Sequence, residues 1–102
     1  MPEITRFYGT FHLYREILVM IPGIKTIEPQ NNYKLFVTFD NGEKVIYDVY
    51  EDILQIPDFS VLKTEKGLFE NFQVDESRTC IFWSDMVDLP SDTLLEYGEK
   101  IG

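Results

Sequence analysis

A chain of 102 residues with 44% hydrophobic and 15% aromatic residues fits one domain. That apolar content offsets the entropy of ordering the chain, which excludes wholesale disorder. Nine Lys and Arg against eighteen Asp and Glu give a formal charge of −9 and a pI near 4.4. No run approaches the ~18 apolar residues of a membrane span, and a single cysteine excludes an internal disulfide or a multi-thiolate metal site.

The acid is unevenly placed. Residues 1–39 carry four basic and three acidic side chains, whereas residues 40–102 carry five basic and fifteen acidic ones. Phosphate backbones are held by clustered Lys and Arg, so direct nucleic-acid binding is not expected. An acidic body suits solubility or docking onto a basic partner. The first residues lack a basic run followed by an apolar stretch, hence no signal peptide is read. One unpaired Cys80 in apolar surroundings points to a reducing cytoplasm.

Residues 1–21 form an arm that ends at Pro22-Gly23. Its first half alternates like a strand, Phe7, Gly9, Phe11 and Leu13 against Tyr8, Thr10, His12 and Tyr14. Its second half places Tyr14, Ile17, Leu18 and Ile21 at helical spacing. The arm offers a route to a homodimer, by strand addition or arm exchange. Residues 22–102 read as one α+β domain, a small antiparallel sheet built from two hairpins with short helices packed on one face.

Ile24–Pro29 is a short strand that Pro29 confines to an edge or an end. Tyr33–Phe39 and Lys44–Val49 flank Asp40-Asn41-Gly42-Glu43, a hairpin signal. A two-residue Asn-Gly loop would pair Leu35 with Asp48 and Phe39 with Lys44, burying charge. A three-residue loop with Gly42 left-handed pairs Val37 with Val45, Leu35 with Tyr47 and Tyr33 with Val49. It also sets Lys34 against Asp48 as an ion pair on the other face. An unpartnered buried carboxylate costs several kcal/mol against the few tenths of an opposed charge pair, so the second register is predicted.

Tyr50–Ile56 then makes a turn or two of helix before Pro57. Thr64 is the expected N-cap of a short helix through Asn71, weakened at Gly67. A second hairpin joins Phe72–Asp75 to Thr79–Trp83, and Val87–Leu89 extends the sheet. Pro90 breaks it, Ser91 caps a last helix through Tyr97, and Gly98 ends that helix.

The ordered set Ile24–Pro29, Asn32–Leu35, Thr38–Glu43, Tyr47-Asp48-Val49, Leu68-Phe69, Val74-Asp75-Glu76, Ile81-Phe82-Trp83, Val87-Asp88-Leu89 and Asp92-Thr93-Leu94 resembles a bacterial family, domain of unknown function 2442. The resemblance spans residues 20–98. After the tryptophan that family usually has a Pro-Asn-Gly turn, where this chain has Ser84-Asp85-Met86. Residues 2–9 are similar to the start of a second family, domain of unknown function 4160, without its histidine-containing continuation. Members of the two families are often encoded side by side. The resemblance thus implies a bacterial cytoplasmic protein, a neighbour-encoded partner of the toxin–antitoxin kind, and no established activity.

No Gly-rich phosphate loop or Gly-x-Ser-x-Gly elbow is present, and His12 is the lone histidine. Asp75, Glu76, Asp85 and Asp88 form the densest carboxylate group near Trp83, but without the Asp-x-Asp-x-Asp-Gly pattern of a calcium loop. No cofactor or metal is therefore expected, and catalysis is not. The hairpin's second face carries Phe36 and Ile46 beside Lys34, Thr38, Lys44 and Asp48, an apolar centre rimmed by charge that reads either as an interaction patch or as a face covered by helices. Three readings follow. The first is a non-catalytic, antitoxin-like binding module with a basic protein partner, the neighbouring gene's product, meeting it at Phe36 and Ile46. The second is a small-molecule or peptide sensor with a site near Trp83 and Asp88. The third is an enzyme using Asp75, Asp85 or Asp88.

Overall fold

The computed structural model describes residues 23–101. The arm, its part in a homodimer, the resemblance of residues 2–9 and His12 lie outside the described residues. Two small antiparallel sheets and short helices make up an α+β fold. In chain order the elements are β1 (Ile24–Gln30), β2 (Lys34–Phe39), β3 (Lys44–Asp48), α1 (Val49–Gln55), a 3₁₀ turn (Pro57–Ser60), α2 (Val61–Thr64), β4 (Gln73–Val74), β5 (Cys80–Ser84), β6 (Val87–Pro90), α3 (Ser91–Tyr97) and β7 (Glu99–Lys100). One sheet runs β1-β2-β3-β7 and the other β4-β5-β6, so each hairpin sits in its own sheet.

The β2–β3 hairpin has the three-residue loop that charge burial demands. Phe39 donates to Glu43 O at 2.9 Å, and Gly42 sits at φ +90°. Lys34 opposes Asp48, Leu35 Tyr47, Phe36 Ile46 and Val37 Val45. The Asn41 carboxamide accepts the Glu43 N–H at 3.0 Å and steadies the turn. β1 forms the edge of its sheet with Pro29 near its end, where the missing N–H breaks no ladder bond.

Leu35, Val37, Phe39 and Val45 are wholly buried on one face, where Val49, Ile53, Leu62, Ile81 and Leu94 join them in the core. Asp48 serves α1 rather than Lys34. Its Oδ1 accepts the Tyr50 N–H at 3.1 Å as an N-cap, in place of the expected ion pair. A cap satisfies an otherwise unpaired donor at a helix start, whereas an exposed ion pair contributes only ~0–1 kcal/mol.

Thr64 ends α2 instead of opening a helix, and residues 65–70 are bends and turns with Gly67 at φ +83°. The chain leaves the helix at Glu65, whose backbone is extended (φ −97°, ψ 110°), before Gly67 is reached. Ser91 is the first residue of α3, and Pro90 holds the cap position without a side-chain bond. Ser91 N–H donates instead to Thr79 O at 2.7 Å, tying the helix start to the β4–β5 turn.

Arg78 bolts the sheets together. From the β4–β5 turn, at φ +61°, it grips Asp40 at 2.9 and 2.7 Å, and its Nη1 also donates to Ile24 O at 3.0 Å. Its own carbonyl accepts the Ile24 N–H at 2.7 Å. Gly23 lies against this clamp, where an added Cβ would stand 2.7 Å from Asp40 Oδ2.

Candidate functional site

Strand alternation gives the four-stranded sheet two unlike faces. With Leu35, Val37, Val45 and Tyr47 turned into the core, Lys34, Phe36, Thr38, Lys44, Ile46 and Asp48 occupy the other face. Phe36 and Ile46 are direct partners, and the row continues to Glu28 on β1 and Glu99 on β7. An aromatic–aliphatic pair is thereby flanked by two carboxylate-bearing residues. Phe36 and Ile46 are half-buried and stand outside the core cluster. Among the described residues, every buried apolar side chain of a helix belongs to that cluster on the opposite face. The two residues read as a surface pair from the sequence are thus brought together.

Trp83 and Asp88 lie on neighbouring strands of the other sheet, β5 and β6. The Trp83 ring stacks on Phe69 at 6.1 Å and meets Phe59 and Phe72 edge-on, both at 6.4 Å, and its indole N–H donates to Phe69 O at 2.9 Å. The tryptophan is therefore a packing anchor between β5 and the segment after α2. Asp88 lies between buried Val87 and Leu89 on β6, so it points outward beside Phe82.

The acidic cluster read from the sequence is dispersed as well. Asp75 accepts the Thr79 and Cys80 N–H groups at 2.9 and 3.1 Å and the Ser77 hydroxyl at 2.8 Å. The Ser77 bond, followed by the backbone donors, holds its carboxyl below the usual range. Among the described residues no three His, Cys, Asp or Glu come together as an ion-binding group. Cys80 is half-buried, and burial followed by the charges of Asp88 and Asp75 pushes its thiol up, away from the thiolate a nucleophile needs.

Sequence reasoning missed a second feature, an acidic hollow of about 340 Å³ between α1 and α3, lined by Tyr47, Asp48, Glu51, Asp52, Thr93 and Tyr97. Tyr47 donates its hydroxyl to Asp52 Oδ2 at 2.7 Å. Burial raises the Asp52 carboxyl against the lowering effect of that bond, and burial together with Asp52 raises the Tyr47 phenol. Tyr97 is 72% exposed at the rim. The signal was the Asp48, Glu51 and Asp52 spacing, which a helical reading of 48–55 places within one turn.

A family model, "Protein of unknown function (DUF2442)", matches residues 24–100. The chain belongs to this family. The match takes in both sheets and every helix of the described residues, and it does not extend to residues 2–9. Neither a curated protein nor a solved structure matches the chain. Among the described residues no helix is long and apolar enough to cross a membrane.

Proposed function

We propose that this protein is a non-catalytic binding module that docks onto a basic protein and regulates it, as an antitoxin-like partner does. The observation that carries the reading is the outer face of the four-stranded sheet, where Phe36 and Ile46 stand side by side between Glu28 and Glu99. An apolar centre with a polar rim has the composition of a protein interface. A chain charge of −9 favours a partner of opposite sign and speeds their encounter. Under this reading the partner is the product of a neighbouring gene in a bacterial cytoplasm.

Co-expression of the full chain with the adjacent basic gene product, followed by co-purification in low and high salt, tests it. The expected result is a complex that weakens with salt and is lost when Phe36→Lys and Ile46→Lys are combined, while the variant keeps a cooperative melt. A complex indifferent to the double substitution, or no complex with the wild-type chain, rejects the reading.

A further inference from the structure

Asn41-Gly42 stands at the tip of the β2–β3 hairpin, and both residues are exposed. The turn requires the glycine, since φ +90° at Gly42 is a backbone that residues with a Cβ rarely adopt. The same pair carries a chemical liability. A backbone nitrogen can attack the carboxamide of a preceding asparagine, and glycine shields its nitrogen least because it has no side chain. Of the four asparagines in the chain only Asn41 precedes a glycine, whereas Asn31, Asn32 and Asn71 precede Asn32, Tyr33 and Phe72. A Cβ built on Gly42 would meet nothing within 4 Å, so the tip is open to water.

The closed turn opposes that attack from both sides. The Gly42 nitrogen must lose its proton and reach Asn41 Cγ, yet its N–H donates to Phe39 O at 2.9 Å. The carboxamide must swing towards that nitrogen, yet it is held at both ends. Its Oδ1 accepts the Glu43 N–H at 3.0 Å, and its Nδ2 donates to Glu43 Oε2 at 2.9 Å. Glu43 is itself fixed, because its Oε1 lies 2.9 Å from the Lys100 ammonium on β7. The restraint on Asn41 thus runs through the hairpin to the neighbouring strand.

We propose that Asn41 is a spontaneous deamidation site that the closed turn holds in check. When the tip opens, the Gly42 nitrogen bonds to Asn41 Cγ, and ammonia leaves carrying the proton from that nitrogen. One water molecule then opens the five-membered imide at either carbonyl, leaving aspartate or isoaspartate without any oxidant or reductant. Either product sets a carboxylate beside Glu43 where an amide N–H had been, so an attraction becomes a repulsion. Isoaspartate also lengthens the backbone of the loop that sets the Val37–Val45 register.

Peptide mapping by mass spectrometry, after the full chain is incubated in warm, mildly alkaline buffer, tests the assignment beside a synthetic peptide of residues 39–45. Conversion should concentrate at Asn41 and run more slowly in the folded chain than in the peptide. Glu43→Ala removes the acceptor of Nδ2 and should speed conversion about fivefold, the scale of one net hydrogen bond. Glu43→Gln keeps an oxygen acceptor there and should stay near the wild-type rate. A cooperative melt reports that each variant is folded. The proposal is overturned if Asn31, Asn32 or Asn71 converts as fast as Asn41, or if Asn41 stays intact in the folded chain. It also fails if the folded chain keeps pace with the peptide, or if the two Glu43 variants react alike.

Discussion

The two faces of the four-stranded sheet are made from the same two strands, yet among the described residues one carries the core and the other does not. Leu35, Val37, Phe39 and Val45 are 0% exposed, while Phe36 and Ile46, one residue away along the same backbone, remain half-buried outside the core. A single hairpin thus divides its labour by parity. Odd-numbered positions hold the fold, and even-numbered ones make up the second face. Substitutions on the two faces should therefore differ in kind, large stability losses on one and large binding losses on the other.

Leu35→Ala should break the inner face most severely. Removing a fully buried side chain costs about 3 kcal/mol (range ~2–5) through lost burial and a residual cavity. Denaturant midpoints read this directly, and a loss below ~1 kcal/mol would show that the inner face is not the core.

Gly98→Ala attacks the same face from behind. An added Cβ would lie 2.5 Å from Leu94 O and 2.9 Å from Val45 Cβ, so either α3 or β3 must move. Overpacking of this kind costs about 2 kcal/mol. A variant as stable as wild type would mean that the α3–β7 junction gives freely.

On the outer face, Phe36→Ser should cost less than about 1 kcal/mol, the scale of one cross-strand pair. Its effect should appear in partner binding instead. Equal melting losses from Phe36→Ser and Leu35→Ala would erase the distinction between the faces.

The smallest expected effects depend on pH and have opposite signs at two aspartates. Asp75 is lowered from 3.8 by its Ser77 and backbone donors, so its stabilisation is complete above that value and fades as pH falls through the folded value. Asp75→Asn should thus lag wild type in melting temperature at neutral pH and converge with it in acid. Asp52 is raised by burial, so its folded form holds more protons than the unfolded chain just above 3.8, and stability drops as pH rises through that window. Asp52→Asn, which can still accept from Tyr47, should gain on wild type over the same rise. Parallel pH profiles for both variants would refute the assignment.

Much of the first sheet was legible in the residues. The Asp40-Asn41-Gly42 loop, the Val37–Val45 pairing and the outward Phe36–Ile46 pair all follow from local alternation and one left-handed glycine. The second hairpin and Val87–Leu89 as its neighbour were legible from the same alternation, and the helix expected over Tyr50–Ile56 runs Val49–Gln55. Less accessible were the roles that depend on what a side chain meets. Asp48 faces Lys34 by register but accepts the Tyr50 N–H, and the Trp83 indole N–H donates to Phe69 O within a group of aromatic rings. The left-handed Tyr33 carries no local signal, because a tyrosine adopts it only when Val49, Tyr50 and Phe69 hold it there.

By itself, then, the order of residues determined strand parity, turn length and the acidic balance, because each depends on neighbours a few positions apart. Tertiary structure alone decided that the hairpins part into two sheets clamped by Arg78 and Asp40, thirty-eight positions apart. It likewise decided that Asp48, Asp52, Thr93 and Tyr97 line one hollow. Those outcomes depend on where distant segments dock, which the core settles by burying the most apolar surface with its polar groups paired.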